Sequence, residues 1–179
     1  MMIMPPRLRR FALTVHVICS IGWIGALAAF LALAITGLTS QDADIVRIAY
    51  GANAIITAYV IVPLSLAALL TGIVQSLATE WGLFRNFWVL IKLLIVLAAT
   101  FLLLMKTGQI DYLATAASET ALAPAGLRGL RVSVVAHAAG GLLVLLWAAA
   151  LGMYKPRGLT RHGWRQKQAM RQRSIASSG

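Results

Sequence analysis

The chain has 179 residues, of which 60% are hydrophobic and only 12% charged, whereas charged residues make up about a quarter of a soluble globular domain. Apolar runs and their connections use up this length, which excludes a soluble catalytic domain. The formal net charge of +11 does not imply a nucleic-acid partner, because the basic residues flank the apolar runs rather than forming a stripe of their own.

In chain order, Arg7, Arg9 and Arg10 precede a first apolar run from Phe11 to Gly37. At about 1.5 Å per residue this run covers roughly 40 Å, too long for a cleaved secretory signal and long enough to cross a hydrocarbon core of about 30 Å. The second run goes from Gly51 to Ala78, the third from Leu83 to Met105 and the fourth from Val132 to Tyr154. Bare backbone amides are not tolerated in lipid, and runs of this length without alternation satisfy them as helices. The expected fold is therefore all-α: an integral membrane four-helix bundle over residues 1–154, followed by a basic tail over residues 155–179. Pro63, in the second run, cannot donate to the carbonyl of Tyr59 and predicts a kink. The single cysteine, Cys19, can form no disulfide within the chain and reads as a small buried hydrophobe.

Orientation follows from the basic residues. Three precede the first run, Arg85 and Lys92 accompany the turn into the third, and seven follow the fourth, against Arg47, Lys106, Arg128 and Arg131 on the opposite side. Positive charge stays in the cytoplasm, so both termini are expected there. The stretch from Thr107 to Arg131 is expected as a solvated outer loop with a short helix near Ser118 and Glu119. The tail, with Lys155, Arg157, Arg161, Arg165, Lys167, Arg171 and Arg173 and no acid, is expected to lie against anionic lipid headgroups.

Ionisable groups inside a span are costly against lipid, which singles out His16, Lys92 and His137. His16, Ser20 and Trp23 share one face of the first helix, beside the small residues Gly22 and Gly25. Trp81, Arg85, Trp88 and Lys92 form a stripe at i, i+4, i+7 and i+11. Its inner member, Lys92, would suit an anionic group such as a propionate, a lipid phosphate or a reduced quinone, or would snorkel to the surface. His137 sits among Ala136, Ala138, Ala139, Gly140 and Gly141, a pattern that admits a flat macrocycle or a close helix contact equally well. Counting residues from the span ends puts His16 and His137 about 12 Å apart along the membrane normal, too far to share one metal. His16 and Lys92 share a depth instead, so both are expected to border one cavity. His137 has Met105 as its nearest soft partner, and His/Met ligation suits haem iron. Hydrolase and phosphoryl-transfer motifs are missing.

These residues carry a resemblance. His16, Trp23 and Gly25 in the first span, with Trp88, Lys92 and Leu93 in the third, resemble small bacterial four-helix membrane proteins that include the membrane-bound protoporphyrinogen oxidase and copper-resistance membrane domain families. The Lys155-Pro156 pair also resembles the end of the oxidase family. Over the whole chain, the Trp81-Gly82-Leu83-Phe84-Arg85 turn and the Tyr154-Lys155-Pro156-Arg157-Gly158 exit are similar to an uncharacterised group of Ala-rich actinobacterial four-helix membrane proteins. The oxidase resemblance implies haem b as cofactor, His16 and Lys92 as the functional pair, and a bacterial cytoplasmic membrane as the location. His137 has no counterpart in that pattern.

Three readings follow. The first is a b-type haem protein of redox or haem-handling type, with a quinone or porphyrin as partner. In it, His16 is the preferred axial ligand, Lys92 and Arg85 contact anionic groups, and Trp23, Trp88 and His137 complete the cofactor-binding residues. The second is a cofactor-free accessory subunit whose histidines only bond neighbouring helices. The third is a copper-handling domain using His137, Met105 and His16.

Overall fold

Pro6 opens the first helix at a position whose missing N–H has no intrahelical partner to lose. The computed structural model describes residues 5–78, 87–119 and 127–154, and all of its regular structure is helical. Helix α1 spans Pro6–Thr39. The chain then reverses over three residues: Ser40 N donates to Thr36 O (2.9 Å), and Ser40 Oγ accepts from Asp42 N (3.1 Å). Asp42 in turn caps helix α2, Ala43–Ile56, its Oδ1 accepting from Asp44 N and Ile45 N at 2.9 and 3.3 Å. A π-helical turn, Thr57–Ile61, joins α2 directly to α3, Val62–Ala78. Helix α4 spans Phe87–Glu119 and α5 spans Arg128–Tyr154.

The expected four-helix architecture is present. The four segments Pro6–Thr39, Ala43–Ser76, Val89–Ser118 and Arg128–Met153 are each long and apolar enough to cross a membrane. Helices α1 and α4 both pack against α2, α3 and α5, so they stand diagonally across the bundle. The start of α1, the end of α3, the start of α4 and the end of α5 share one end, here called the terminal end; the Ser40–Asp42 reversal marks the far end. Polarity is inverted relative to a soluble bundle. Phe11, Ile18, Ile48, Leu70, Phe101 and Leu143 are exposed, while His16, Asn53, Thr57, Ser65, Ser76 and Thr100 are buried, as expected where the surrounding solvent is hydrocarbon.

Two helices run further than the apolar runs predict. A run that stops at Met105 predicts a loop from Thr107, yet α4 continues to Glu119. The reason is amphipathic: Ile110, Leu113 and Ala117 fall at i, i+3 and i+7 and are all buried. Likewise α2 begins eight residues before Gly51, because Val46, Ala49, Tyr50 and Asn53 bury one face against α1. Arg131, expected in the loop, lies instead in α5 with its guanidinium 5.4 Å from the centre of the Tyr50 ring. The segments 79–86, 120–126 and 155–179 are outside the described residues, and with them Arg85, Trp81 and the basic tail.

The expected irregularity at Pro63 takes the form of the π turn. Val62 N donates to Thr57 O, five residues back, a widening that relieves the clash between the proline ring and the backbone before it. Asn53, fully buried, ties α2 to α1: with its amide turned to satisfy both groups, its nitrogen donates to Phe30 O and its oxygen accepts from Ala34 N, each at 3.3 Å.

The tightest approach of α1 and α2 is at Gly37, where a Cβ would stand 2.8 Å from two ring carbons of buried Tyr50. Gly37→Ala should therefore destabilise the bundle by about 1–3 kcal/mol through overpacking, read as a lower unfolding midpoint in detergent. Pairing it with Tyr50→Leu should recover part of the loss, and no recovery would show that the ring is not what the methyl meets.

Candidate functional site

The site is built from the terminal half of all four spans. His16 on α1 is buried, and the α3 backbone dictates its ring orientation. Its Nδ1 lies 3.1 Å from Ala68 O and 3.0 Å from Thr71 Oγ1. A carbonyl oxygen can only accept, so Nδ1 carries the proton and donates to Ala68 O. The Thr71 hydroxyl donates to Ala67 O (2.6 Å), which leaves its oxygen to accept from the same Nδ1–H. The consequence is chemical: in the neutral ring Nε2 is the unprotonated nitrogen, with a free lone pair, and among the described residues it has no hydrogen-bond partner.

Glycines on two helices make room for the polar groups. A Cβ at Gly72 would stand 3.3 Å from His16 Cε1, and one at Gly152 would stand 3.2 Å from Lys92 Nζ. Lys92 thus lies against a bare stretch of α5 with its ammonium turned into the bundle, not drawn out along the lipid surface. Gln75, one turn beyond Thr71, donates from Nε2 to Ala12 O (2.9 Å) and ties the end of α3 to α1.

Between these groups lies a cavity of about 540 Å³, within the usual range for small-molecule and cofactor sites. His16, Ser20 and Trp23 on α1 line it together with Lys92 on α4. The expected sharing of one cavity by His16 and Lys92 is present, and it arises because the diagonal helices α1 and α4 face each other across the bundle axis. Trp23, 3% exposed, forms part of the cavity wall and of the core beneath it. Sequence reasoning did not single out two lining residues, Arg9 and Gln75. Arg9 sits on the same face as a residue it did name, seven residues before His16, whereas Gln75 is seven residues after Ala68, which nothing in the sequence singled out. A heptad count from His16 would have found Arg9. Among the described residues all other lining groups are apolar, small or uncharged, so the ionic groups they bring to the cavity, Lys92 and Arg9, are both basic.

The other named residues lie elsewhere. His137 is exposed on α5 and bonded to its own helix, Nδ1 donating to Ser133 O at 2.7 Å. Met105 is 63% exposed on α4. Neither lines the cavity, so the structure does not gather His16 with His137 and Met105. No group of three or more His, Cys, Asp or Glu placed to hold a metal ion occurs among the described residues. Trp88 belongs to the first turn of α4, but its side chain, like Arg85, is outside the described residues.

The two histidines should differ sharply in what they do for the fold. His16→Ala leaves a buried gap and removes a bond between α1 and α3, for an expected loss of about 1–3 kcal/mol. His137→Ala should stay within about 0.5 kcal/mol, as for an exposed substitution. Detergent or denaturant unfolding of the two variants measures this contrast; equal losses would contradict the positions described.

No protein-family model, curated protein or solved structure matches the chain.

Proposed function

We propose that this multi-pass membrane protein is a b-type haem-binding protein of redox or haem-handling type, with His16 as axial ligand. The observation that carries the reading is the tautomer of His16. A histidine that holds a metal commonly donates its other ring N–H to a carbonyl, which fixes the ring and raises the basicity of the ligating nitrogen. Ala68 O and Thr71 Oγ1 do this for His16, and the freed Nε2 belongs to a residue lining a cavity of cofactor size.

The remaining residues fit the same group. Lys92 and Arg9 are the cations that two propionates would need, and no carboxylate faces them from the cavity wall among the described residues. Trp23 and the aliphatic lining supply an apolar surface for a macrocycle. Haem b would supply one-electron chemistry at its iron, and His16, its ring oriented by Ala68 O and Thr71 Oγ1, would hold it. Met153 also borders the cavity and would offer a thioether as a second donor suited to iron. The sequence resemblance to the protoporphyrinogen oxidase family points to the same pair, His16 and Lys92, and to a bacterial cytoplasmic membrane.

The visible spectrum of the purified protein tests the reading. His16→Ala should abolish the Soret band, Lys92→Met should retain it while weakening haem retention or shifting the potential, and His137→Ala should leave it largely unchanged. Loss of the band in His137→Ala but not in His16→Ala would move the site to the outside of α5. A colourless wild-type protein would favour a cofactor-free subunit in which His16 only joins α1 to α3.

We further propose that both termini are cytoplasmic, which puts the His16 cavity in the inner leaflet. The support is the count of twelve basic residues on the terminal side against four on the other. Topology reporters fused after Ser40, Ala78, Ala123 and Tyr154 should read outside, inside, outside, inside; a single inverted reporter would overturn the orientation.

A further inference from the structure

The cavity's lining residues are unevenly exposed, and the pattern shows where it opens. On α3 and α4 none of the lining residues is exposed. On α1, however, Leu13, Val17 and Ile21 line the cavity and are also 52%, 43% and 65% exposed; on α5, Met153 lines it and is 82% exposed. Leu13, Val17 and Ile21 follow at i, i+4 and i+8, so they form one row along the edge of α1. Deeper in the bundle the two helices close, where Leu27 reaches within 3.5 Å of the Cβ position of Gly141. The rim is therefore a slot between α1 and α5 at the terminal end. Arg9, one turn before Leu13 in the same row, is also exposed and marks its terminal end; beyond it the rim is apolar on both sides and faces the surface that the hydrocarbon covers.

We propose that the cavity is loaded sideways from the bilayer, through this slot between α1 and α5, by a largely apolar molecule that carries a carboxylate. The apolar rim argues for the route, because a row of three aliphatic side chains facing hydrocarbon lets an apolar body leave lipid without meeting water. Charge complementarity argues for the carboxylate. Lys92 and Arg9 both border the cavity, its lining includes no acid among the described residues, and an ammonium turned inward at this depth is stabilised by an anionic partner. Haem b belongs to this chemical class, but the inference rests on the rim and the two cations and does not require haem.

Trp23 provides the readout, since it lines the cavity yet is 3% exposed and so should be out of reach of bulk acyl chains. The full chain is prepared with Trp81, Trp88, Trp147 and Trp164 replaced by Phe, and with His16→Ala so that no haem at His16 can quench. It is reconstituted in phosphatidylcholine vesicles, and dibromostearate is added at alkaline pH, where the probe is ionised. The expected result is saturable quenching of Trp23 well above that given by dibromo-phosphatidylcholine at equal bromine content. Removing both charges with Arg9→Gln and Lys92→Met should raise the half-saturating concentration about tenfold or more, and dibromostearyl alcohol should behave like the probe on that variant. Val17→Phe with Ala149→Phe, which narrows the slot without touching the cations, should slow quenching in stopped flow. Circular dichroism confirms that each variant keeps its helices, and a variant that does not is replaced by its single-site parent.

The proposal is overturned if dibromostearate quenches no better than the brominated phospholipid, since Trp23 would then be closed to the membrane. It is overturned equally if the alcohol binds the parent protein as well as the acid, or if the narrowed slot leaves the rate unchanged. A colourless wild-type protein with the expected quenching would remove the haem reading and leave this one standing.

Discussion

A charged or strongly polar side chain held against hydrocarbon costs several kcal/mol, and this cost organises the bundle. It turns His16 and Lys92 inward from opposite helices and puts Asn53, Thr57 and Ser65 on the buried faces. The glycines follow from the same demand, because inward-turned groups need volume. Gly72 provides it beside the imidazole and Gly152 beside the ammonium. Where polar groups from diagonal helices meet, packing cannot close completely, and a cavity remains. The candidate site is in this sense a product of the solvent around the protein as much as of the residues within it.

The two halves of the bundle resolve the problem of interior polarity differently. In the far half Asn53 bridges two backbone groups of α1 and Thr57 Oγ1 donates to Asn53 O at 2.7 Å, while Tyr50 OH, Gln109 Oε1, Arg131 Nε and Arg131 Nη2 are buried without a hydrogen-bond partner among the described residues, the guanidinium lying over the Tyr50 ring instead. In the terminal half a neutral imidazole that donates through one nitrogen keeps a lone pair on the other, and His16 brings such a ring to the cavity wall. An ammonium among basic and apolar neighbours is likewise unmatched.

Much of this was legible in the sequence. Hydropathy alone located the four spans, and counting residues from their ends put His16 and Lys92 at one depth, which became a shared cavity. Hydropathy failed where helices leave the strongly apolar runs. Lys106, Gln109 and Asp111 lower the average and end the apolar run, yet the buried triplet Ile110, Leu113 and Ala117 keeps the helix going. Periodicity, which does not depend on the average, carried that signal. The outward direction of His137 was less accessible. Its small neighbours suit a cofactor pocket, a helix contact or an open lipid face equally well, and only the angular position of α5 in the bundle distinguishes them. The part played by Ala68 was beyond sequence altogether, since a backbone carbonyl is the same in every residue.

The π turn at Thr57–Ile61 has a consequence for the length of the second span. Its buried residues run Asn53, Thr57, Ile61, Ser65, three steps of four, whereas a regular helix keeps one face inward by mixing threes and fours. Three fours would carry the last residue well away from the bundle axis, and the wider turn absorbs the surplus as one extra residue looped into the helix. Ser65, Ala68 and Thr71 thereby return to phase with α1. The second span thus reads as a helix that tolerates an inserted residue by confining it to one turn. Loss of a residue from that turn would straighten the helix without shifting α3, whereas the same loss a few positions later would rotate the His16 partners away from the bundle.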